Sequence, residues 1–314
     1  MGTGNWELKL ATQKDIKGRI GSVKNIQKIT RAMEMVSAAR LRRAEQRIEE
    51  LRPYAEGIRR MTRRASEAAE RIPNLPVLQE RENVEHVGLL LITSDRGLAG
   101  AFNSQINRAG TGRAREIEGE GTEVTWYASG RRGVSTLQFR GHEVAGAYTG
   151  FTDRPSYADA RNIASDVTAA YVDGHIDRLE IIYNHYVSPM TQTVSHETLL
   201  PLQQADILGE EDESAESGGA ESGDSQHSRS LWIYEPEPEE ILARLVPDYV
   251  EISIYRALLE STTSEHGARM TAMRNASENA SELIDDLTLE MNRQRQAEIT
   301  QEIMEVVAGA EGLR

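Results

Sequence analysis

From Asp15 to Ala69 the sequence reads as helix almost throughout. Apolar or small residues recur there at steps of three and four: Leu41, Ala44, Ile48, Leu51, Ala55, Ile58, Thr62, Ala65 and Ala69. This is a heptad-like seam, with Thr62 its one polar member. Upstream, Ile16, Ile20, Val23, Ile26, Ile29, Met33 and Val36 continue a stripe at similar spacing. At 1.5 Å per residue such a helix is roughly 80 Å long, more than a compact core needs. Thr12 and Asp15 have capping-box spacing at its start, and Pro53 is expected to kink it or interrupt its hydrogen bonding. From Asp248 to about Ala308 the pattern is helical again. Ile252, Tyr255 and Leu259 open the second stripe, and Met273, Ala276, Ala280, Leu283, Leu287 and Met291 carry it on. It thins over Asn292 to Glu298 and returns with Ile299, Ile303, Val306 and Val307.

Each of these helices has a narrow apolar seam and a charged back, and neither is stable alone in water. Antiparallel pairing of the two lets each cover the other, and places Met33 to Arg40 near the C-terminal half of the last helix. The alternative is that both pack separately on the central part of the chain, which looks too small to cover both. Composition agrees with long helices: 39% hydrophobic, only 5% aromatic and 27% charged residues.

Between the helices the pattern changes. Pro73 and Pro76 end the first helix. His86 to Thr93 (HVGLLLIT) is a short apolar run that suits a buried strand. A turn at Ser94 to Gly100 follows, then helix to about Glu118, strand at Glu123 to Ala128 and helix at Arg131 to Phe139. Tyr157 to Val172 is helical, Leu179 to His185 is a strand, and Thr191 to Leu199 pairs beside it. Strands alternating with helices predict a small sheet covered by helices. Residues 209–229 (GEEDESAESGGAESGDSQHSR) hold too little apolar surface to offset ordering entropy and are expected to be disordered. Leu231 to Tyr234 is strand-like, and Pro236, Pro238 and Pro247 punctuate the approach to the last helix.

No catalytic constellation stands out. The Ser94–Gly100 turn lies between a strand and a helix, where a phosphate loop sits, but it lacks G-x-G-x-x-G spacing, and no G-x-x-x-x-G-K-[ST] occurs in the chain. A tight strand-to-helix turn is the simpler account, with Asp95 a turn group and Asp285 and Asp286 surface groups. The seven histidines have no metal-ligand spacing, and His266 is expected to be solvated or to face a partner. With no cysteine, disulfides, thiol catalysis and thiolate metal sites are excluded. The formal charge of −14 over 314 residues argues against a general nucleic-acid binder. Lys14, Lys17, Arg19, Lys24, Lys28, Arg31, Arg40, Arg42, Arg43 and Arg47 nevertheless crowd the first helix, as a solvated face or as a positive rod for acidic partners. No apolar run spans a membrane, and Met1 to Leu10 lacks the pattern of a secretory signal, so the expectation is a soluble protein.

Three segments resemble the gamma subunit of F-type ATP synthases. They are Ile16 to Leu51, above all Gln27 to Arg43 (QKITRAMEMVSAARLRR); Ile92 to Asn103 (ITSDRGLAGAFN); and Tyr249 to Leu313, with Ala268 to Met273 (ARMTAM) and Arg295 to Ile303 (RQAEITQEI). The resemblance spans nearly the whole chain. It implies a small Rossmann-like α/β domain with flanking helices, plus a long antiparallel α-helical coiled coil from the two terminal helices. The implied divisions are a lead at 1–14, an N-terminal coiled-coil helix at 15–72, the central domain at 84–235 with the insertion at 209–229, and a C-terminal coiled-coil helix at 248–310.

The resemblance also implies a non-catalytic rotor shaft without a cofactor, carrying torque between a proton-driven c ring and a catalytic hexamer of alpha and beta subunits, with epsilon as a further partner. It implies peripheral attachment, through partners, at the cytoplasmic face of the bacterial inner membrane. Arg295, Gln296 and Thr300 match the positions that catch a loop of beta. Met33 matches the methionine near the acidic lever of beta, and Arg269 a basic position linked to coupling. Trp232, Tyr234 and Glu235 (WIYEP) match the foot that meets epsilon and the c ring. Met1 to Leu10 and the acidic insertion depart from the family pattern, and the cysteine pair of light-regulated relatives is absent. Two other functions compete: a coiled-coil scaffold without a motor role, and a nucleotide-binding α/β enzyme using the Ser94–Gly100 turn.

Overall fold

A computed structural model describes residues 13–68, 75–79, 81, 83–202 and 236–311. Helix α1 covers Gln13–Ala68, and helix α5, at the other end, Pro238–Glu311. Between them run β1 (His86–Ile92), α2 (Phe102–Gly119), β2 (Glu123–Ser129), α3 (Arg131–Phe139), β3 (Val144–Tyr148), α4 (Tyr157–Val172), β4 (Arg178–Tyr186) and β5 (Gln192–Leu200). The chain divides into two compact units, Ala39–Ala268 and the pair Met1–Ala38 with Arg269–Arg314.

The first unit is built on a five-stranded sheet of order β3-β2-β1-β4-β5. Neighbours are parallel except β5, which runs antiparallel to β4. β1 lies at the centre with helices on both faces, so its sequence is a continuous apolar run instead of an alternation. Successive side chains still point to opposite faces. Leu90 and Ile92 pack with Ile163, Val167 and Tyr171 of α4 and with Val250, Ile254 and Leu258 of α5. Val87, Leu89 and Leu91 pack with Phe102, Ile106 and Ile117 of α2 and Leu137 of α3. Gly110 lets α2 approach the sheet closely, since a Cβ there would lie 2.5 Å from Cδ2 of Leu91. A capping box opens α4: Asp159 N donates to Ser156 Oγ, and Ser156 N donates to the Asp159 carboxylate.

Within this unit the second half of α1 packs on the first half of α5. Ile58 is buried with Leu245 and Ile252, and Ala55, Ile241 and Tyr249 lie against them. Both helices continue through an internal proline, Pro53 in α1 and Pro247 in α5. Each proline removes one helical N–H. At Pro247 the cost is offset by burial, because Leu245, Val246 and Val250 around it are all in the core. The last helix therefore begins at Pro238, not at Asp248. Pro238 sits at its first residue, where a missing N–H costs nothing.

The second unit is an antiparallel helical pair, the coiled coil that the two stripes predict. Ile16 and Ile20 of α1 are buried against Leu287, with Val23, Ile284 and Met291 at the edges. Further along, Arg274 Nε donates to Glu34 Oε1 at 3.0 Å. Three details differ from the sequence expectation. The seam on α1 runs through Ile16, Ile20, Val23, Gln27, Thr30 and Ser37, while Ile26, Ile29 and Val36 are exposed. On α5 it is Ile284, not Leu283, that packs against Ile16 and Ile20. A strict alternation of three and four selects polar Gln27, Thr30 and Ser37 over their apolar neighbours, because geometry, not hydrophobicity, decides which residues face the partner helix. The Met33 turn also lies opposite the middle of α5, at Arg274, instead of its C-terminal half. At 74 residues against 56, α5 is the longer helix, and Ile299, Ile303, Met304, Val306 and Val307 at its end are exposed. Thr12, the strand-like run Leu231 to Tyr234 and the acidic insertion lie outside the described residues.

Candidate functional site

In an open parallel sheet, ligands enter at the carboxyl ends of the strands, where the strand order reverses. Here that point lies between β1 and β4. It is filled by α5. Glu260 to His266 of α5 are all buried although all are polar, and three of them hydrogen-bond the strand ends and an adjoining loop. Ser261 Oγ donates to Ile92 O of β1 at 3.3 Å, and Ser264 Oγ to Asn184 O of β4 at 3.1 Å. Thr262 Oγ1 donates to Thr152 O in the β3–α4 loop at 2.9 Å. Short hydroxyl side chains let the helix lie directly on the strand ends, and their donors satisfy carbonyls that a ligand or water takes up in other folds. Gly267 completes the fit, since a Cβ there would stand 3.1 Å from Pro189 O.

The Ser94–Gly100 turn is held from several sides at once. Asp95 Oδ2 accepts from Gly150 N (2.8 Å), Thr152 N (3.2 Å) and Thr152 Oγ1 (3.0 Å), while Oδ1 accepts from Arg131 N at 3.1 Å. One carboxylate thus ties the end of β1 to the start of α3 and to the β3–α4 loop. Ser94 N donates to Asn103 Oδ1 at 2.9 Å. Leu98 has a left-handed backbone, φ 65°, a conformation that costs a non-glycine residue about 1 kcal/mol.

Buried charge in the sheet unit is paired. Glu180 of β4 accepts from Arg113 Nε at 2.9 Å and lies 2.6 Å from His196 Nε2 and 3.0 Å from Arg178 Nε. Burial works to raise the Glu180 carboxyl, but the hydrogen bonds with His196 and Arg113 outweigh it and lower it to about 2. A second group joins α5 to β4 and β5: Glu260 lies 2.6 Å from His185 Nδ1, and Glu197 accepts from Arg256 at 2.8 Å and from Tyr183 OH at 2.6 Å. Burial pushes the Tyr183 hydroxyl upward.

His266 is not solvated, as its sequence context suggested, but 2% exposed, with Nε2 4.0 Å from Asp153. The helix that carries it is enclosed on every side at this point, a tertiary effect that local sequence does not carry. Asp153 also pairs with Arg40. Arg40, Arg43, Arg47 and Arg154 surround a cleft of about 460 Å³ there, while Arg42 and the basic residues Lys14, Lys17, Arg19, Lys24, Lys28 and Arg31 are exposed along α1.

Of the residues that the resemblance marks for beta contact, Met33 is half-buried and Arg269 buried. Arg295, Gln296 and Thr300 are exposed on the end of α5, where Thr300 Oγ1 donates to Gln296 O at 2.9 Å. Trp232, Tyr234 and Glu235 lie outside the described residues. Missed from sequence was an outer apolar surface on the helical pair: Ile26, Ile29, Met35 and Val36 on α1, and Leu289 and Met304 on α5. Its signal was present, since Ile26, Ile29 and Val36 fall out of step with Ile16, Ile20 and Val23. Among the described residues, no group of three or more His, Asp or Glu side chains could hold a metal ion, and no helix is long and apolar enough to cross a membrane.

The family model described as ATP synthase matches residues 12–313. A Rubrobacter xylanophilus protein named ATP synthase gamma chain is 44% identical over 305 residues, 97% of this chain and 99% of its own length. One of the same name from Streptomyces avermitilis is 42% identical, covering 95% of this chain and 94% of its own. Among solved structures, a chain of the central stalk and c ring of Tetrahymena thermophila mitochondrial ATP synthase is 26% identical, with a TM-score of 0.56 over 79% of this chain and 99% of its own. A chain of Euglena gracilis mitochondrial ATP synthase, at 18% identity, shares the fold with a TM-score of 0.64 over 96% of this chain and 94% of its own.

Proposed function

The chain belongs to the ATP synthase gamma-chain family, and from that premise we propose that it is the central rotor shaft of an F-type ATP synthase, carrying torque between a proton-driven c ring and a catalytic alpha/beta hexamer. The observation that carries this reading is the helical pair. Its seam is narrow, and its outer surface keeps Ile29, Met35, Leu289 and Val306 exposed. Apolar residues spaced along both helices call for a partner that surrounds the pair, as a sleeve surrounds an axle. The Tetrahymena relative, from a central stalk with its c ring, supports contact with a c ring as well.

The chain itself catalyses nothing and holds no cofactor in this reading. The crevice that would bind a nucleotide in such a sheet is occupied by α5, which favours a mechanical role over the nucleotide-enzyme alternative. Each charge crossing the membrane supplies about 2.3 kcal/mol per 100 mV, so several must act together in each catalytic event. The shaft must therefore stay folded while loaded. We assign Met33, Arg295, Gln296 and Thr300 to contact with beta, the buried Arg269 to the same coupling through the residues packed around it, and Trp232, Tyr234 and Glu235 to contact with epsilon and the c ring. In this reading the chain works at the cytoplasmic face of the bacterial inner membrane, held through its partners. Arg40 is engaged by Asp153, so the charges available to acidic levers of beta on this turn are Arg42 and Arg43.

The test is reconstitution of the full chain with alpha, beta and the membrane sector, followed by ATP synthesis driven by a proton gradient. Replacing Arg295, Gln296 and Thr300 together with Ala removes side-chain contacts at a partner surface and should lower synthesis roughly tenfold without loss of assembly. Full synthesis by that variant would remove the tip from the coupling path. Failure of the chain to co-purify with alpha and beta would remove the shaft.

A further inference from the structure

Helices α2 and α3 face each other across a cleft of about 520 Å³ on the sheet unit. Arg108 and Arg115 stand on the α2 wall, and Arg132 and Arg140 on the α3 wall. Among the described residues, no carboxylate lines the cleft and none of these four arginines forms an ion pair. In a chain of formal charge −14, that concentration of uncompensated positive charge is unusual. Arg113, between them on α2, is by contrast paired with both Glu116 and Glu180.

The rest of the lining is uncharged. Asn103 Nδ2 donates to Ser94 Oγ at 2.9 Å and Thr136 Oγ1 to Arg132 O at 2.7 Å, so these two line the cleft with their hydrogens already engaged and the guanidinium groups are the donors left to an anion. Gly112 leaves one wall without a side chain. The Arg132 guanidinium is packed over Gly97, where a Cβ would lie 2.9 Å from Nη2, and so is held at the rim by the turn after β1. The backbone donors opening α3 are already used: Arg131 N bonds Asp95, Arg132 N bonds Ser94 O, and Gly133 N bonds Thr93 Oγ1. Recognition must therefore come from the side chains. Guanidinium groups on two walls of one cleft suit adjacent phosphoryl groups, which accept paired hydrogen bonds. Among the described residues, no aromatic or aliphatic side chain lines the cleft to stack or bury a base.

We propose that the α2–α3 cleft binds a small polyphosphate anion, either inorganic pyrophosphate or the phosphoryl tail of a nucleotide. The site is separate from the surfaces assigned to torque, and it stands or falls independently of them. The test is calorimetric titration of the purified full chain with inorganic pyrophosphate, and in a second arm with ADP, at low and at moderate salt. Saturable one-to-one binding is expected, weaker at higher salt because the arginines are exposed. Arg132→Gln with Arg140→Gln should weaken it at least roughly tenfold, since two charge-assisted contacts are lost. Arg108→Gln with Arg115→Gln, on the opposite wall, should do the same, and Arg60→Gln on α1 should not. Comparable affinity for the two ligands supports recognition of phosphoryl groups alone, and markedly tighter ADP binding supports a nucleotide as the source. Absence of saturable binding in both arms, or binding indifferent to both pairs of substitutions, overturns the proposal.

Discussion

Leu89, Leu90 and Leu91 follow one another along β1 and all three are sealed from solvent, whereas on α1 Ile26, Ile29, Met35 and Val36 remain about half exposed. The sheet unit buries a strand on both faces, so every residue of that strand has a partner. The helical pair buries one stripe per helix, and what lies off the stripe stays outside. The sheet core is in this sense complete, although Phe139 and Met190 stand exposed elsewhere on the same unit. The helical pair keeps apolar surface in reserve, which suits an element whose remaining partners are other chains. The internal contacts differ as well. Around the sheet, the partly buried Asp95 and the buried Glu180 each hold several elements together, while the helical pair relies on a few apolar side chains and an exposed ion pair.

The largest effect that tests this contrast is a cavity. Leu89→Ala removes a completely buried side chain from the centre of the sheet and should cost about 3–5 kcal/mol. Leu287→Ala in the helical seam, where the neighbours are few and able to close up, should cost about 1–2 kcal/mol. Urea unfolding followed by amide exchange in each unit measures both. Equal costs would mean that the helical seam is packed as tightly as the sheet core.

Next comes Glu180. Glu180→Gln leaves Arg113 and Arg178 without their buried anion and should destabilise the sheet unit by about 3 kcal/mol at neutral pH. The native carboxyl is lowered from its ordinary 4.5 to about 2, so its contribution is complete above about 4.5 and is lost as pH falls toward 2. The stability gap between the native chain and the variant should therefore be level from neutral pH down to about 5 and narrow below that. A gap that stays constant into strong acid would mean that Glu180 acts through shape alone.

The same contrast explains what the amino-acid sequence disclosed. Elements with a strong period or a continuous apolar run were legible: α3 and α4 begin and end where their patterns do, and β1, β2, β4 and β5 fall within a residue or two. The strand β3 (VAGAY) was not, because it is short, half-exposed and made mostly of small residues that carry no strand preference. Proline misled at α5, since burial around Pro247 is a tertiary effect. Of the candidate site, the polar segment from Asn292 to Glu298 was visible as a thinning of the stripe, while Arg295, Gln296 and Thr300 were singled out by the resemblance alone. The buried polar plug from Glu260 to His266 was not, because polar residues read as solvated unless the strand ends they cap are known. The four arginines of the α2–α3 cleft are far enough apart in sequence that only the fold brings them together.

The smallest effect concerns the ion pair between Glu34 and Arg274. Its side chains are 22% and 52% exposed, and a single hydrogen bond of 3.0 Å joins them. A pair so open to solvent contributes about 0.5 kcal/mol or less, and less still in salt. Arg274→Ala should therefore change amide protection in the helical pair barely at all, and by even less in high salt, while Leu287→Ala lowers it clearly. Each substitution removes one link from the same seam, so the comparison isolates what kind of link holds it. A loss for Arg274→Ala as large as that for Leu287→Ala, and abolished by salt, would mean that charge and not the apolar stripe fixes the alignment of the two helices. The exposed apolar residues beside the seam would then have no packing reason to be left outside, and the contrast between the two units would rest on the sheet alone.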